Sequence, residues 1–313
     1  MKQVIGIDVG KAELTIYGFE KHYEIRNEKG AIRDFLSVHK DALSDIELIV
    51  FEATGGYERC LRNCLIEGNY PYHLAHPNNV RDFAKAEGYL AKTERIDAKV
   101  IAAYGAISRK AVAEKPLPGE EVQRLRILLD RRGQLMGEHT REKNRLQQIE
   151  DKWLKQSTER HIQWIAKELV RIEKEVDGQE KQVKTLKESV ELLSSIPGVG
   201  KQTARVITAY LPELEECTDK SVAALTGVAP FNKESGKQKG KRKIKAGRST
   251  VRNVLYMAAM TASRYNRVIK VFFERLINKG KPYKVAITTA MRKLLLMARS
   301  VLKRKTPWVE NFV

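Results

Sequence analysis

The chain has 313 residues, 42% of them hydrophobic, with 58 lysines and arginines against 39 acids and a formal charge of +19. That length supports two or three domains with real cores, and the charge predicts a polyanionic partner held in a salt-sensitive way. No apolar run is long enough to span a bilayer, no basic amphipathic anchor favours a membrane surface, and three cysteines (Cys60, Cys64, Cys217) give neither a disulfide framework nor a zinc spacing.

The opening Met1-Lys2-Gln3-Val4-Ile5-Gly6-Ile7-Asp8 lacks a charged lead followed by a long apolar segment. No signal peptide is expected, and a reduced, cytoplasmic setting follows. Val4 to Gly10 reads as a buried strand ending at Asp8, and Glu13 to Phe19 as the returning strand of a hairpin. Ala31 to His39 reads as a helix. Ile46 to Phe51 is a second buried strand, ending in Glu52-Ala53-Thr54-Gly55-Gly56-Tyr57, where a helix carrying Cys60, Leu61 and Leu65 begins. Tyr70 to Leu74 suits a further strand, and helical segments follow to about Lys110. His73 and His76 form a His-x-x-His without further ligands nearby and read as loop histidines.

Lys92-Thr93-Glu94-Arg95-Ile96-Asp97-Ala98 opens one of those helices. Glu94 and Asp97 are three apart, so their carboxylates share a face. Alone they are a solvated acidic pair flanked by Lys92 and Arg95; likewise Asp8 alone is a turn residue and Glu52 alone a helix cap. Together the pattern is strand–acid, strand–acid, helix–acid–x–x–acid. Strand ends converge on one edge of an α/β sheet, and four carboxylates gathered there require divalent cations. Mg²⁺ (or Mn²⁺) takes such oxygen ligands, and a pair of ions clamps both oxygens of an in-line phosphoryl displacement.

Pro116-Leu117-Pro118-Gly119 marks a boundary. The helical run beyond it is expected to break near Lys155 to Arg160. Ile162, Ile165, Leu169, Ile172, Val176, Val183, Leu186, Val190 and Leu193 follow a three–four spacing interrupted only at Gln179, the seam of a coiled coil. Helix pairing within or between chains, with a part in subunit assembly, is its expected use.

Ser195-Ile196-Pro197-Gly198-Val199-Gly200-Lys201 opens another helix and resembles the helix–hairpin–helix module of many DNA-binding proteins. There Gly198 and Gly200 let backbone approach a phosphate, and N–H groups at the helix start, with Lys201, hold it. From Lys233 to Arg252 there are nine basic residues and one acid, among them Lys237, Lys239, Lys241, Arg242, Lys243, Lys245, Arg248 and Arg252. Gly236, Gly240 and Gly247 keep this segment from being helical throughout, so a basic loop or ribbon for nucleic acid is expected. Ser235 stands on a Glu-Ser-Gly turn at its head. A serine hydroxyl attacks phosphorus only if its proton is removed and the phosphate charge offset, which the neighbouring cations assist. Ser249, the competing nucleophile, lies at a helix start and has an ordinary capping role there. Leu255 to Met260, and Val285 through Leu296, are apolar helix faces that close a small core.

Gly6-Ile7-Asp8-Val9, Glu52-Ala53-Thr54-Gly55, Lys92 through Ala98, Pro197-Gly198-Val199-Gly200, Gly227 through Gly236 and Gly247-Arg248 through Ala259 recur in that order across essentially the whole chain. In them the chain resembles the DEDD transposases of one bacterial insertion-sequence family, related to the Piv-type DNA invertases and described as bridge-RNA-guided recombinases. The resemblance implies an α/β RuvC-like (RNase H-type) domain over 1–115, a helical coiled coil over 116–193, and a mainly α-helical transposase domain with the helix–hairpin–helix and the catalytic serine over 194–313. It maps the acidic tetrad onto Asp8, Glu52, Glu94 and Asp97 and the nucleophile onto Ser235. Donor and target DNA, a structured guide RNA and a homo-oligomer, dimer to tetramer, are the implied partners; the protein is nucleoid-associated when acting. At one position the chain departs from the pattern: the third acid is ordinarily Asp, and here it is Glu94. A junction-resolving nuclease that activates water on a metal, or a nucleic-acid-binding assembly factor without chemistry, would share much of this layout.

Overall fold

A computed structural model describes residues 3–89, 94–108, 119–231, 234–235, 238–239, 243–244 and 246–310. The chain divides into two compact units, Met1–Leu117 and Pro118–Val313.

The first unit is a mixed sheet with helices on both faces. Its strands are β1 (Gln3–Val9), β2 (Glu13–Gly18), β3 (Lys21–Arg26), β4 (Ile46–Glu52) and β5 (Tyr72–Ala75), in the order β3-β2-β1-β4-β5. β1–β2 and β2–β3 pair antiparallel, whereas β4 is parallel to both β1 and β5. The helices are α1 (Lys29–Val38), the single turn α2 (Lys40–Leu43), α3 (Arg59–Glu67), α4 (Pro77–Ala86) and α5 (Glu94–Ser108). Alternation along the central strands sorts side chains to two cores. Ile5, Ile7, Ile49 and Phe51 pack with Ile32, Leu36, Leu61 and Leu65, while Leu48 and Val50 pack with Val100 and Ile101 of α5.

β3 is absent from the sequence reading. Phe19 and Glu20 both adopt positive φ, 53° and 60°, so Gly18 and Lys21 close a two-residue hairpin without the Asn-Gly or Asp-Gly that normally announces one. β3 is an edge strand in which only Tyr23 and Ile25 are withdrawn from solvent, a pattern too short and too charged to read as periodic. The two histidines also differ from expectation: His73 lies in β5 and stacks on Tyr104, and His76 caps α4 by accepting from the Asn78 N–H.

The second unit begins with α6 (Glu120–Leu146) and α7 (Lys152–Gln182), followed by α8 (Lys184–Ser194), α9 (Lys201–Tyr210) and α10 (Asp219–Leu225). Four two-residue strands follow, β6 (Pro230–Phe231), β7 (Glu234–Ser235), β8 (Gln238–Lys239) and β9 (Lys243–Ile244). The chain closes with α11 (Ser249–Tyr265), α12 (Arg267–Asn278) and α13 (Tyr283–Arg304). α6 and α7 form an antiparallel hairpin within the chain: Arg124 pairs with Glu175, Arg132 with Glu173, and His161 with Glu142.

The interhelix break lies at 147–151, not at 155–160, because Asp151 caps α7 by accepting from the Leu154 N–H at 2.8 Å. The seam is not continuous either: α7 ends at Gln182, and Val183 turns the chain into α8 with φ −113° and ψ 104°. Leu125, Leu129 and Val176 of the hairpin belong to the same buried cluster as Leu193, Ile207, Leu255 and Leu294. The α6–α7 hairpin thus shares one buried core with α8, α9, α11 and α13.

Candidate catalytic centre and nucleic-acid surface

Three observations place the acids of the first unit. Ile7 and Phe51 are register partners on the parallel strands β1 and β4, so the next residues, Asp8 and Glu52, emerge side by side at the two C-terminal ends. Alternation puts both on the face covered by α5, in the rows of Val4–Gly6 and Leu48–Val50. That face is closed by direct backbone contact: a Cβ on Gly6 would lie 2.1 Å from the Ala98 carbonyl oxygen and 2.4 Å from the Ala102 nitrogen. Since Gly105 lies against Val4 and Val50, α5 runs opposite to β1, and its first turn stands over the strand ends.

The salt bridge of Arg95 to Glu24, 3.0 Å, fixes the same level independently, because Glu24, Thr15 and Asp8 form one cross-strand row. Glu94 and Asp97 therefore arrive at the end of the sheet where Asp8 and Glu52 emerge. Glu94 is exposed; Asp8, Glu52 and Asp97 are half-buried. Lys92 and Thr93 of the same motif lie outside the described residues.

Two residues that sequence reasoning passed over shape this end. Asn27 Nδ2 donates to the Gly10 carbonyl at 3.0 Å and to the Tyr57 carbonyl at 2.9 Å, tying the loop after β1 to the loop after β4. Glu58 Oε2 accepts from the Gly56 N–H at 2.8 Å, the Thr54 N–H at 3.1 Å and the Thr54 hydroxyl at 3.2 Å. Burial alone would push the Glu58 carboxyl up, but these hydrogen bonds, with its own N–H, hold it below the ordinary 4.5. Its stabilising effect is therefore full above pH 4.5 and lost as pH falls through the lower folded value. Glu58→Ala is expected to destabilise the protein by about 1–2 kcal/mol, read by urea denaturation at pH 7, with the difference from wild type shrinking toward pH 3.

The donor set is oxygen-only, drawn from two strand ends and one helical turn, which matches the ligand preference of Mg²⁺ or Mn²⁺. Among the described residues no three His, Cys, Asp or Glu side chains are already gathered round one point. The carboxylates share an end of the sheet and have side-chain torsions with which to converge.

In the second unit, the Pro197-Gly198-Val199-Gly200 turn connects α8 to α9. Gly198 has φ +99°, and a Cβ there would strike Ala262 of α11 at 2.6–2.7 Å, so packing alone requires glycine. Gly200, which caps α9, has nothing within 4 Å of a virtual Cβ; packing does not demand it, and its bareness leaves the helix N–H groups open. Lys201 is committed elsewhere, with Nζ 3.0 Å from Asp177 and 3.3 Å from Glu180. Beside it the buried Arg205 donates to Glu180 at 2.7 Å, to Glu173 at 3.3 Å and to Asp177. This network holds α9 on α7, whereas Gln179, which interrupts the apolar seam, donates from Nε2 to the Glu121 carbonyl of α6 at 3.5 Å.

The basic segment is a ribbon at backbone level. Pro230–Phe231 pairs with Lys243–Ile244, and beyond them Glu234–Ser235 pairs with Gln238–Lys239, with Ser235 opposite Gln238. Ser235 thus sits on a strand beside the tip of a narrow hairpin. Gly236, Lys237, Gly240, Lys241, Arg242 and Lys245 lie outside the described residues. Arg248 and Arg252, expected on the nucleic-acid surface, have internal partners: Arg248 donates to the Tyr210 carbonyl at 2.6 Å and pairs with Glu213 at 2.5 Å, and Arg252 donates to the Ala246 carbonyl. Ser249 is exposed and is the first residue of α11; the cap position belongs to Arg248, which makes no side-chain cap bond. The capping role read for Ser249 is therefore not found.

Residues 5–152 match the family model of the IS110-type DEDD transposase, and residues 190–274 match the model described as Transposase IS116/IS110/IS902 family. The chain belongs to the IS110-type DEDD transposase family. The pilin gene-inverting proteins of Moraxella lacunata and Moraxella bovis are 27% and 26% identical to it over 322 residues, covering 98% of this chain and 98% of each relative. The first family match takes in all four acids, and the second takes in the Pro-Gly-x-Gly turn, the ribbon with Ser235, and most of α12.

Proposed function

We propose that this IS110-type protein is a DNA recombinase that cuts and rejoins donor and target DNA through a serine–DNA intermediate, with a RuvC-like first unit supplying the metal site. The arrival of Glu94 and Asp97 at the strand ends that carry Asp8 and Glu52 is the observation that supports this most directly. In this reading Asp8, Glu52, Glu94 and Asp97 hold Mg²⁺ (or Mn²⁺), which when bound offsets charge on the scissile phosphate and on its entering and departing oxygens.

Ser235 Oγ attacks phosphorus. The Oγ–P bond forms, the bond from phosphorus to a sugar oxygen breaks, the hydroxyl proton passes to a base, and the departing oxygen takes one up. A strand end then attacks the same phosphorus and releases Ser235, so bond energy is conserved and no nucleotide cofactor is consumed. The ribbon lysines hold the backbone of the DNA. Selection of donor and target sites falls to base pairing with a structured guide RNA, and two to four copies of the chain assemble on the DNA. Among the described residues no helix is long and apolar enough to cross a membrane.

The test is to incubate the protein with Mg²⁺ and DNA carrying its element's end, denature, and locate the DNA-linked peptide by mass spectrometry. An adduct at Ser235 is expected. An adduct at Ser249 would reassign the nucleophile, and cleavage with no adduct would make the protein a nuclease that activates water.

A further inference from the structure

α12 and α13 enclose an open cavity of about 480 Å³ against the C-terminal segment. Its lining combines the cations Arg267, Arg275 and Lys293 with the apolar Val271 and Phe272 and the acid Glu310. Arg275 lies 5.3 Å and Lys293 Nζ 4.8 Å from the centre of the Phe272 ring. Among the described lining residues three cations accompany one acid, Glu310, whose ion pair there is with Arg267, at 3.8 Å. Among the described residues neither Arg275 nor Lys293 has an acidic partner. Arg267 and Arg275 are exposed and Lys293 is half-buried, so the like charges converge on one half-buried ammonium, which is unfavourable as it stands. Lys293 reflects this: burial first, and Arg275 second, draw its ammonium below the ordinary lysine range. Yet α12 is held firmly beneath the cavity, since the buried Asn266 caps it by accepting from the Ile269 N–H and donates to the Pro197 carbonyl.

The missing component is an anion with apolar surface attached. Free phosphate would satisfy the cations but leave Val271, which is 60% exposed, and the open part of the half-buried Phe272 against water. A duplex would offer phosphate, but its base faces are stacked away; an unpaired strand offers both phosphate and an accessible ring. The volume suits about one nucleotide.

We propose that the α12–α13 cavity binds one nucleotide of an unpaired polynucleotide strand, its phosphate held by Arg267, Arg275 and Lys293 and its sugar and base resting on Val271 and Phe272. This rests on the reading of the chain as a nucleic-acid enzyme and adds a strand-binding site distinct from the ribbon.

The experiment uses the full chain and fluorescence anisotropy with a labelled 12-nucleotide DNA, the same sequence as RNA, and its 12-base-pair duplex. The variants are Arg275→Gln/Lys293→Gln, Phe272→Ala, and Phe272→Leu, which keeps apolar bulk without the ring. Lys270→Gln/Lys279→Gln removes the same charge from exposed positions of α12 and its end. The pocket double variant and both Phe272 variants are expected to weaken strand binding about tenfold, with duplex binding changed less than about threefold and melting temperatures retained. The relative loss on DNA and RNA identifies which strand is held. The proposal is overturned if the control double variant weakens strand binding as much as the pocket variant, or if Phe272→Leu and Phe272→Ala bind like wild type. Should the wild type bind neither strand nor duplex, the functional reading itself fails; should it bind both while the pocket variants match it, only this site is lost.

Discussion

Asp8→Asn and Asp97→Asn are each expected to reduce strand cleavage at least about a thousandfold, with the fold retained. Each change removes one negative charge and keeps the side-chain shape, so neither the β1–β4 register nor the α5 contact at Gly6 is disturbed. On the proposed reading each change would remove an anionic ligand, and with it several kcal/mol of charge stabilisation at the phosphate. Glu52→Gln belongs to the same series. Glu94→Asp is expected to preserve or raise turnover, because it restores the shorter carboxylate usual at that position. Single-turnover cleavage across a Mg²⁺ titration measures all four, with circular dichroism as the check on folding. Undiminished turnover in both aspartate variants would show that the metal is not held here.

Arg205→Met is expected to cost about 3–5 kcal/mol, lowering the melting temperature by about 10 °C. Arg205 and Glu180 are only 4% and 8% exposed, so removing the guanidinium strands a buried carboxylate, with Asp177 and Glu173 beside it. Lys201 remains, but it spans only Asp177 and Glu180. The network also carries a pH signature. The ammonium of Lys201 first, and Arg205 second, hold the Asp177 carboxyl below its ordinary 3.8. Its contribution is therefore complete above pH 3.8 and disappears as pH falls through the lower folded value. Thermal melts between pH 3 and 8 should show wild type losing stability below about pH 4 more steeply than Arg205→Met. If the variant melts like wild type at pH 7, the cluster does not anchor α9.

The four main strands of the first unit were legible because each is an apolar run stopped by an acid, glycine or proline, and the same stops located Asp8 and Glu52. β3 was hidden because its turn uses Phe19 and Glu20 in a conformation that neither residue advertises. The acids were readable as candidates, but their common level over the sheet depends on α5 running opposite to β1. That is a consequence of Gly6 and Gly105 meeting their partners in space. Asn27 and Glu58 were invisible for a related reason: they bind main-chain groups, which leave no trace in residue type. In the second unit the polar break at Gln179 was visible as an irregularity. Its partner, the Glu121 carbonyl, lies 58 residues back in the chain and becomes apparent only once α6 and α7 are side by side. Phe272 carries no local signal, because its cations come from two helices.

The joint between β1 and α5 has one more implication. At the level of Gly6, polypeptide meets polypeptide with no intervening filler, so the gap separating the strand's carboxylate from those of the helix cannot be tuned by swapping a larger or smaller wedge. Whatever extra reach the longer acid at position 94 has must be taken up by its own torsions.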